Sequence, residues 1–128
     1  MNLRVLCEAS ILAMMPLLVT AGEKKDEGRY QATPLKGDYY LYGGTLAEME
    51  PPTQKDRKVA FMFTGPLAKE LFNGIGPDVK RADACSSDPD YRERRRGDLH
   101  CVLTMQDGYT CYFGLNVPTG KSTYVSIC

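Results

Sequence analysis

The chain has 128 residues, with 16 lysines and arginines balanced by 16 aspartates and glutamates, so its formal charge is zero. That balance gives no global pull toward nucleic acid or an anionic membrane, and the length suits a single domain with a modest core.

Residues 1–21 carry Arg4, then a mostly apolar run from Val5 to Val19, and end in Val19-Thr20-Ala21, small residues at the positions a signal peptidase reads. This layout predicts a secretory signal peptide cleaved after Ala21. The run is interrupted by Glu8 and Pro16 and is too short to span a membrane. Cleavage removes Cys7 and leaves Cys85, Cys101, Cys111 and Cys128, an even set that reads as two disulfides in a small exported domain. Their spacings of 16, 10 and 17 contain no close ligand pair, so no metal site is expected. The expected location is periplasmic or secreted.

Residues 22–37 are charged and aperiodic, and predict a loose N-terminal arm ahead of a disulfide-stapled domain over 38–128. The segment 38–44 (DYYLYGG) is aromatic-rich and closed by two glycines, a strand pattern. Residues 45–58, with Pro51-Pro52 and many charges, read as a surface loop. The run 59–63 (VAFMF) is apolar on both faces and suits a covered central strand. A helix begins at Thr64-Gly65-Pro66, where proline fits the first turn. Leu67, Leu71, Phe72 and Ile75 form its apolar face, and Asn73-Gly74 with Gly76-Pro77 end it. Residues 83–98 are polar and read as a solvated loop preceding a strand.

The last thirty residues predict three strands. Leu99, Cys101, Leu103 and Met105 form one apolar set, and Tyr109, Cys111, Phe113, Leu115 and Val117 another. A loop over Gln106-Asp107-Gly108, with Gly108 left-handed, turns both sets to one core and opposes Leu103 to Cys111. Cys101 and Cys111 are then diagonal, about 7–8 Å apart and out of disulfide range. A second hairpin around Pro118–Lys121 opposes Val117 to Ser122 and brings Cys111 opposite Cys128. The expected disulfides are therefore Cys85–Cys101 and Cys111–Cys128.

Gly120-Lys121-Ser122 matches the tail of a phosphate-binding loop. Five residues separate Gly114 from Gly120 where that loop needs four, and a strand follows where a helix is required, so no nucleotide site is expected.

The densest charge is Arg92, Arg94, Arg95 and Arg96, an anion or partner-docking patch if exposed, since guanidinium binds carboxylate and phosphate in a bidentate manner. Without interleaved aromatics it is a poor nucleic-acid surface. Tyr39, Tyr40 and Tyr42, extended by Tyr112, supply interface-type aromatic surface. Arg96-Gly97-Asp98 spells an adhesion tripeptide, but it runs into a strand. The single histidine, His100, points away from the Leu99 and Cys101 set beside Asp98, with no nucleophile motif, so no catalytic residue is assigned.

Together these features predict an α+β fold. It comprises a single antiparallel β-sheet of four to five strands with one α-helix packed on a face, in the order β-β-α-β-β-β and stapled by two disulfides. In size, export signal and cysteine count the chain is similar in type to the small exported inhibitors and immunity proteins of bacterial envelopes, without a shared motif. The expected function is protein binding, possessing no cofactor and no enzymatic activity. The alternatives are small-anion binding, a structural envelope role, or a His100-dependent hydrolase.

Overall fold

The computed structural model describes Gly22, residues 31–126 and Cys128. The signal peptide expected over 1–21 and most of the arm expected over 22–37 lie outside the described residues. Residues 31–36 have no regular secondary structure, and Thr33–Cys128 forms one unit.

Among the described residues, seven strands and one α-helix follow in the order β1 (Gly37–Gly44), β2 (Met49–Glu50), β3 (Lys58–Thr64), α1 (Gly65–Gly74), β4 (Arg92–Arg96), β5 (Leu99–Thr104), β6 (Gly108–Asn116) and β7 (Lys121–Thr123). All pairs are antiparallel, and the order across the sheet is β2-β1-β3-β6-β5-β4. β7 also pairs with β6, beyond the end of β5. The α+β class holds, while the expected strand count and order do not. The extra strands are β2, a two-residue ladder inside the loop over 45–58, and β4, formed by the arginine run itself. Arginine stems are long and apolar, so alternate residues of an edge strand can lie on either face with their charges reaching out.

α1 starts where expected, with Thr64 at the N-cap position and Pro66 in the first turn. The Thr64 side chain caps nothing, and its N–H donates to the Lys36 carbonyl at 3.0 Å. The buried face is Ala68, Phe72 and Ile75, with Leu71 at its margin, while Leu67 is exposed. In the first turn Ala68 takes the buried position expected of Leu67.

The core on the helix side joins α1 to Phe63, Leu99, Cys101, Leu103, Tyr109 and Cys111. Burying Phe72 there contributes roughly 1.5–3 kcal/mol, and its ring meets Tyr109 edge-on at 5.3 Å. The opposite face has a smaller core of Tyr42, Ala60 and Val125, flanked by Leu46 and Tyr112. Val125 reaches it because the chain leaves the sheet after Thr123 and crosses this face as a C-terminal strap. Gly114 permits the crossing: a Cβ there would lie 2.7 Å from the Thr123 carbonyl oxygen and collide with Val125.

Both disulfide pairings expected from the sequence are wrong. Cys85 bonds to Cys128, and Cys101 to Cys111. In each hairpin the register differs from the expected one by two residues. β5 and β6 oppose Leu103 to Tyr109 and Cys101 to Cys111, and β6 and β7 oppose Leu115 to Ser122. The strand expected to run on to Cys128 ends at Thr123, so Cys128 lies beside Arg95 rather than opposite Cys111. A shift of two leaves every side chain of the paired strands on its expected face. It turns the diagonal cysteines into direct neighbours with Cα atoms 4.0 Å apart. Gly108 is left-handed as expected, at φ +69°.

Candidate functional site

β4 divides the arginine run between the two faces. Arg92, Arg94 and Arg96 lie on the helix side, and Arg95 on the other. Arg92 Nε donates to Asp78 Oδ2 at 2.7 Å, and Arg94 Nε to Asp78 Oδ1 at 2.6 Å. Hydrogen bonds from Arg92 and Arg94 hold the Asp78 carboxyl below the usual range. Arg94 also donates from Nη1 to the Phe72 carbonyl at 2.9 Å, with its guanidinium 4.3 Å from the Phe72 ring centre. Arg96 reaches the Gly76 carbonyl at 3.2 Å. α1 has no basic residue in its last turn, so β4 supplies the cation that favours a helix C-terminus. Three of the four arginines therefore dock the end of α1 onto the sheet edge.

Arg95 belongs to a buried cluster that sequence reasoning did not assemble. Glu93 has no exposed side-chain surface. It accepts from the Cys85 N–H at 2.8 Å and the Tyr91 hydroxyl at 3.1 Å, and it pairs with Arg95. His100, 2 % exposed, places Nε2 3.0 Å from Glu93 Oε1, although the contact lacks hydrogen-bond geometry. Its Nδ1 lies 3.5 Å from the Tyr124 hydroxyl. Burial pushes the Glu93 carboxyl upward, but Cys85, Arg95, Tyr91 and His100 together outweigh it and leave the group below its ordinary value. Burial holds the His100 ring below the usual histidine range against the upward pull of Glu93, so the ring is neutral at neutral pH. The expected Asp98–His100 pair gives way to this arrangement. Asp98 instead sits in the two-residue turn between β4 and β5 and accepts from Ser122 Oγ at 2.6 Å. The adhesion-like tripeptide thus occupies that turn, with Arg96 and Asp98 both engaged within the chain. A pairing signal was present in the sequence, since Glu93 alternates with the arginines, but its neighbour His100 is reached only through the β4–β5 register.

The cluster closes one end of a cavity of about 490 Å³ on the face away from α1, lined by Tyr40, Met49, Met62, His100, Tyr112 and Val125 among others. Burial raises the Tyr112 phenol above its ordinary value. Donor atoms of Cys85, Glu93 and His100 lie within 4.8 Å of one another. The Cys85 sulfur is bonded to Cys128, which removes it as a metal ligand in this state.

The tyrosines also separate. Tyr42 is buried in the smaller core and presents no surface. Tyr112 lines the cavity. Tyr39 and Tyr40 are 68 % and 53 % exposed, and Leu41 beside them 47 %. All three lie on β1, which pairs with β3 along one side from Gly37 to Tyr42. Along its other side β2 reaches only Gly43 and Gly44, and among the described residues no strand pairs with the rest. A row of backbone donors and acceptors flanked by aromatic side chains therefore faces outward.

Among the described residues no helix is long and apolar enough to cross a membrane. No protein-family model matches the chain, and comparison with curated proteins and with solved structures returns no match.

Proposed function

We propose that this is a protein-binding module of an oxidising compartment, periplasmic or secreted, which takes an extended segment of its partner along the outer edge of β1. The observation that carries this reading is the open stretch of β1 over Gly37–Tyr42 bearing Tyr39, Tyr40 and Leu41. An added strand would gain affinity from main-chain hydrogen bonds and specificity from side chains set against the tyrosines. Two disulfides in one small domain support the compartment. The arginine run is mostly occupied within the chain and is the weaker docking surface.

The test is capture of partners from an envelope extract by the oxidised protein, beside a Tyr39→Lys, Leu41→Lys variant that charges the edge. The reading expects one stoichiometric partner, cross-linked to β1, with the amides of 37–42 protected from exchange in the complex. The charged variant should lose that partner while keeping its stability within about 0.5 kcal/mol. A partner retained by the variant, with protection elsewhere, refutes strand addition.

A second reading rests on the cavity. Its volume and mostly apolar lining, with polar groups at one end, fit a small organic ligand. The test is a thermal-shift screen of small organic compounds: this reading expects one that raises the melting temperature of the native protein and has no effect on Tyr112→Phe. A His100 hydrolase is disfavoured because both ring nitrogens already face groups of the chain, Glu93 and Tyr124.

A further inference from the structure

The two disulfides sit in opposite surroundings. Cys101 and Cys111 have no exposed surface, and Cys111 Sγ lies 3.4 Å from the Ala68 carbonyl of α1. Cys128 is exposed and Cys85 half-buried. One guanidinium nitrogen of Arg95 lies 3.4 Å from Cys85 Sγ and 3.6 Å from Cys128 Sγ. Arg95 is held there by the buried Glu93 carboxylate and by the Tyr124 ring, 5.9 Å away. A fixed cation beside a disulfide stabilises whichever sulfur departs as thiolate, and a more stable leaving thiolate departs faster. This arrangement has a positional consequence, because Cys128 follows Val125 closely in the chain. Val125 is packed against Tyr42 and Ala60 at the cavity wall, and the bond to Cys85 anchors the segment at its far end.

We propose that Cys85–Cys128 is an exchangeable disulfide, opened by external low-molecular-weight thiols with Arg95 stabilising the departing thiolate, and that its opening frees the strap from the cavity face. The external thiolate attacks the exposed Cys128 sulfur. A bond forms between them, the Cys85–Cys128 bond breaks, and its electron pair leaves on Cys85 beside Arg95. A second thiolate attacks the external sulfur of this mixed disulfide and releases Cys128 as thiolate. Two external thiols are oxidised to one disulfide, and one protein disulfide is reduced to two thiolates, which take protons from water according to pH. Cys101–Cys111 cannot follow the same course without displacing α1 from the sheet, since no thiol can approach its sulfurs.

The experiment incubates the oxidised protein with reduced glutathione at pH 7.5, alkylates free thiols at intervals, and locates them by peptide mass. Cys85 and Cys128 should be labelled together, at least about 100-fold faster than Cys101 and Cys111, because the buried pair reacts only through opening of the core. Arg95→Gln should slow labelling about fivefold, the scale of one ion pair near the surface, and Arg95→Lys should stay near the native rate. Chymotrypsin should cut after Tyr124 in the reduced protein and leave that bond intact in the oxidised one. Labelling of all four cysteines at one rate overturns the proposal, as does labelling only under conditions that unfold the protein. An unchanged rate in Arg95→Gln, with the fold retained, overturns the role of the guanidinium. Should that variant not fold, the native rate ratio between the two disulfides still decides whether exchange is selective.

Discussion

Replacing Glu93 by glutamine probes the buried cluster directly. The carboxylate receives the Cys85 N–H and the Tyr91 hydroxyl on Oε2, while Arg95 and His100 stand at Oε1. Glutamine keeps the volume, removes the charge, and turns an NH₂ group toward at least one donor. Breaking a buried charge pair from one side costs about 3–5 kcal/mol. Arg95 can turn partly to solvent, so a loss of about 3 kcal/mol is expected, a fall in Tm on the order of 15 °C for a domain of this size. Urea unfolding at pH 7 measures it.

The chain has one histidine, so in untagged protein a single imidazole resonance reports the electrostatics of the same site. In the native protein His100 should titrate below its ordinary 6.5, because burial outweighs the pull of Glu93. In Glu93→Gln that pull is gone and the value should fall further. The pH dependence of stability follows from the same shifts. As pH drops below about 6.5, the unfolded chain takes a proton that the native ring refuses, so stability declines. Glu93 is likewise held below its ordinary 4.5, so its contribution is present above that pH and lost as pH falls through the native value. A His100 value that rises or stays fixed in Glu93→Gln, or a stability loss under about 1 kcal/mol, would refute this account of the cluster.

Trypsin digestion without reduction should release the peptide over 82–92 joined to that over 122–128, with Cys101 and Cys111 bridged inside the single peptide over 97–121; a three-peptide species would instead restore the pairing expected from the sequence. Arg94→Ala should cost about 2 kcal/mol by chemical denaturation, since it removes the bond to Phe72, the pair with Asp78 and the stacking on the Phe72 ring. Gly114→Ala should lose about 1–3 kcal/mol through the collision with Val125 and the Thr123 backbone, with protease access to the strap as the accompanying readout.

Much of the framework was legible. The helix start at Thr64-Gly65-Pro66, the strands over 38–44 and 59–63, and the common apolar face of the last hairpins follow from glycine, proline and a period of two. The strand formed by Arg92–Arg96 was not legible. It is stabilised by Asp78, Phe72 and the β5 ladder, none of which is local, and its own composition reads as a solvated loop. Glu93 and His100 were likewise separable only as individual residues, because their contact runs across two strands.

Side-chain periodicity by itself determined which face each residue of the paired terminal strands occupies, up to Thr123 where the last strand ends, because alternation depends only on local backbone geometry. The pairing of those strands lay beyond it, since registers two residues apart keep every face and differ only in cross-strand partners. Turn conformation and packing against α1 chose between them, and with that choice Cys101 came to Cys111. The bond from Cys85 to Cys128, and the tyrosines left on an open edge, depend on where the chain goes after Thr123 and on how far β2 reaches. Only the tertiary structure decides those, because each is a contact between segments whose local sequences carry no record of one another.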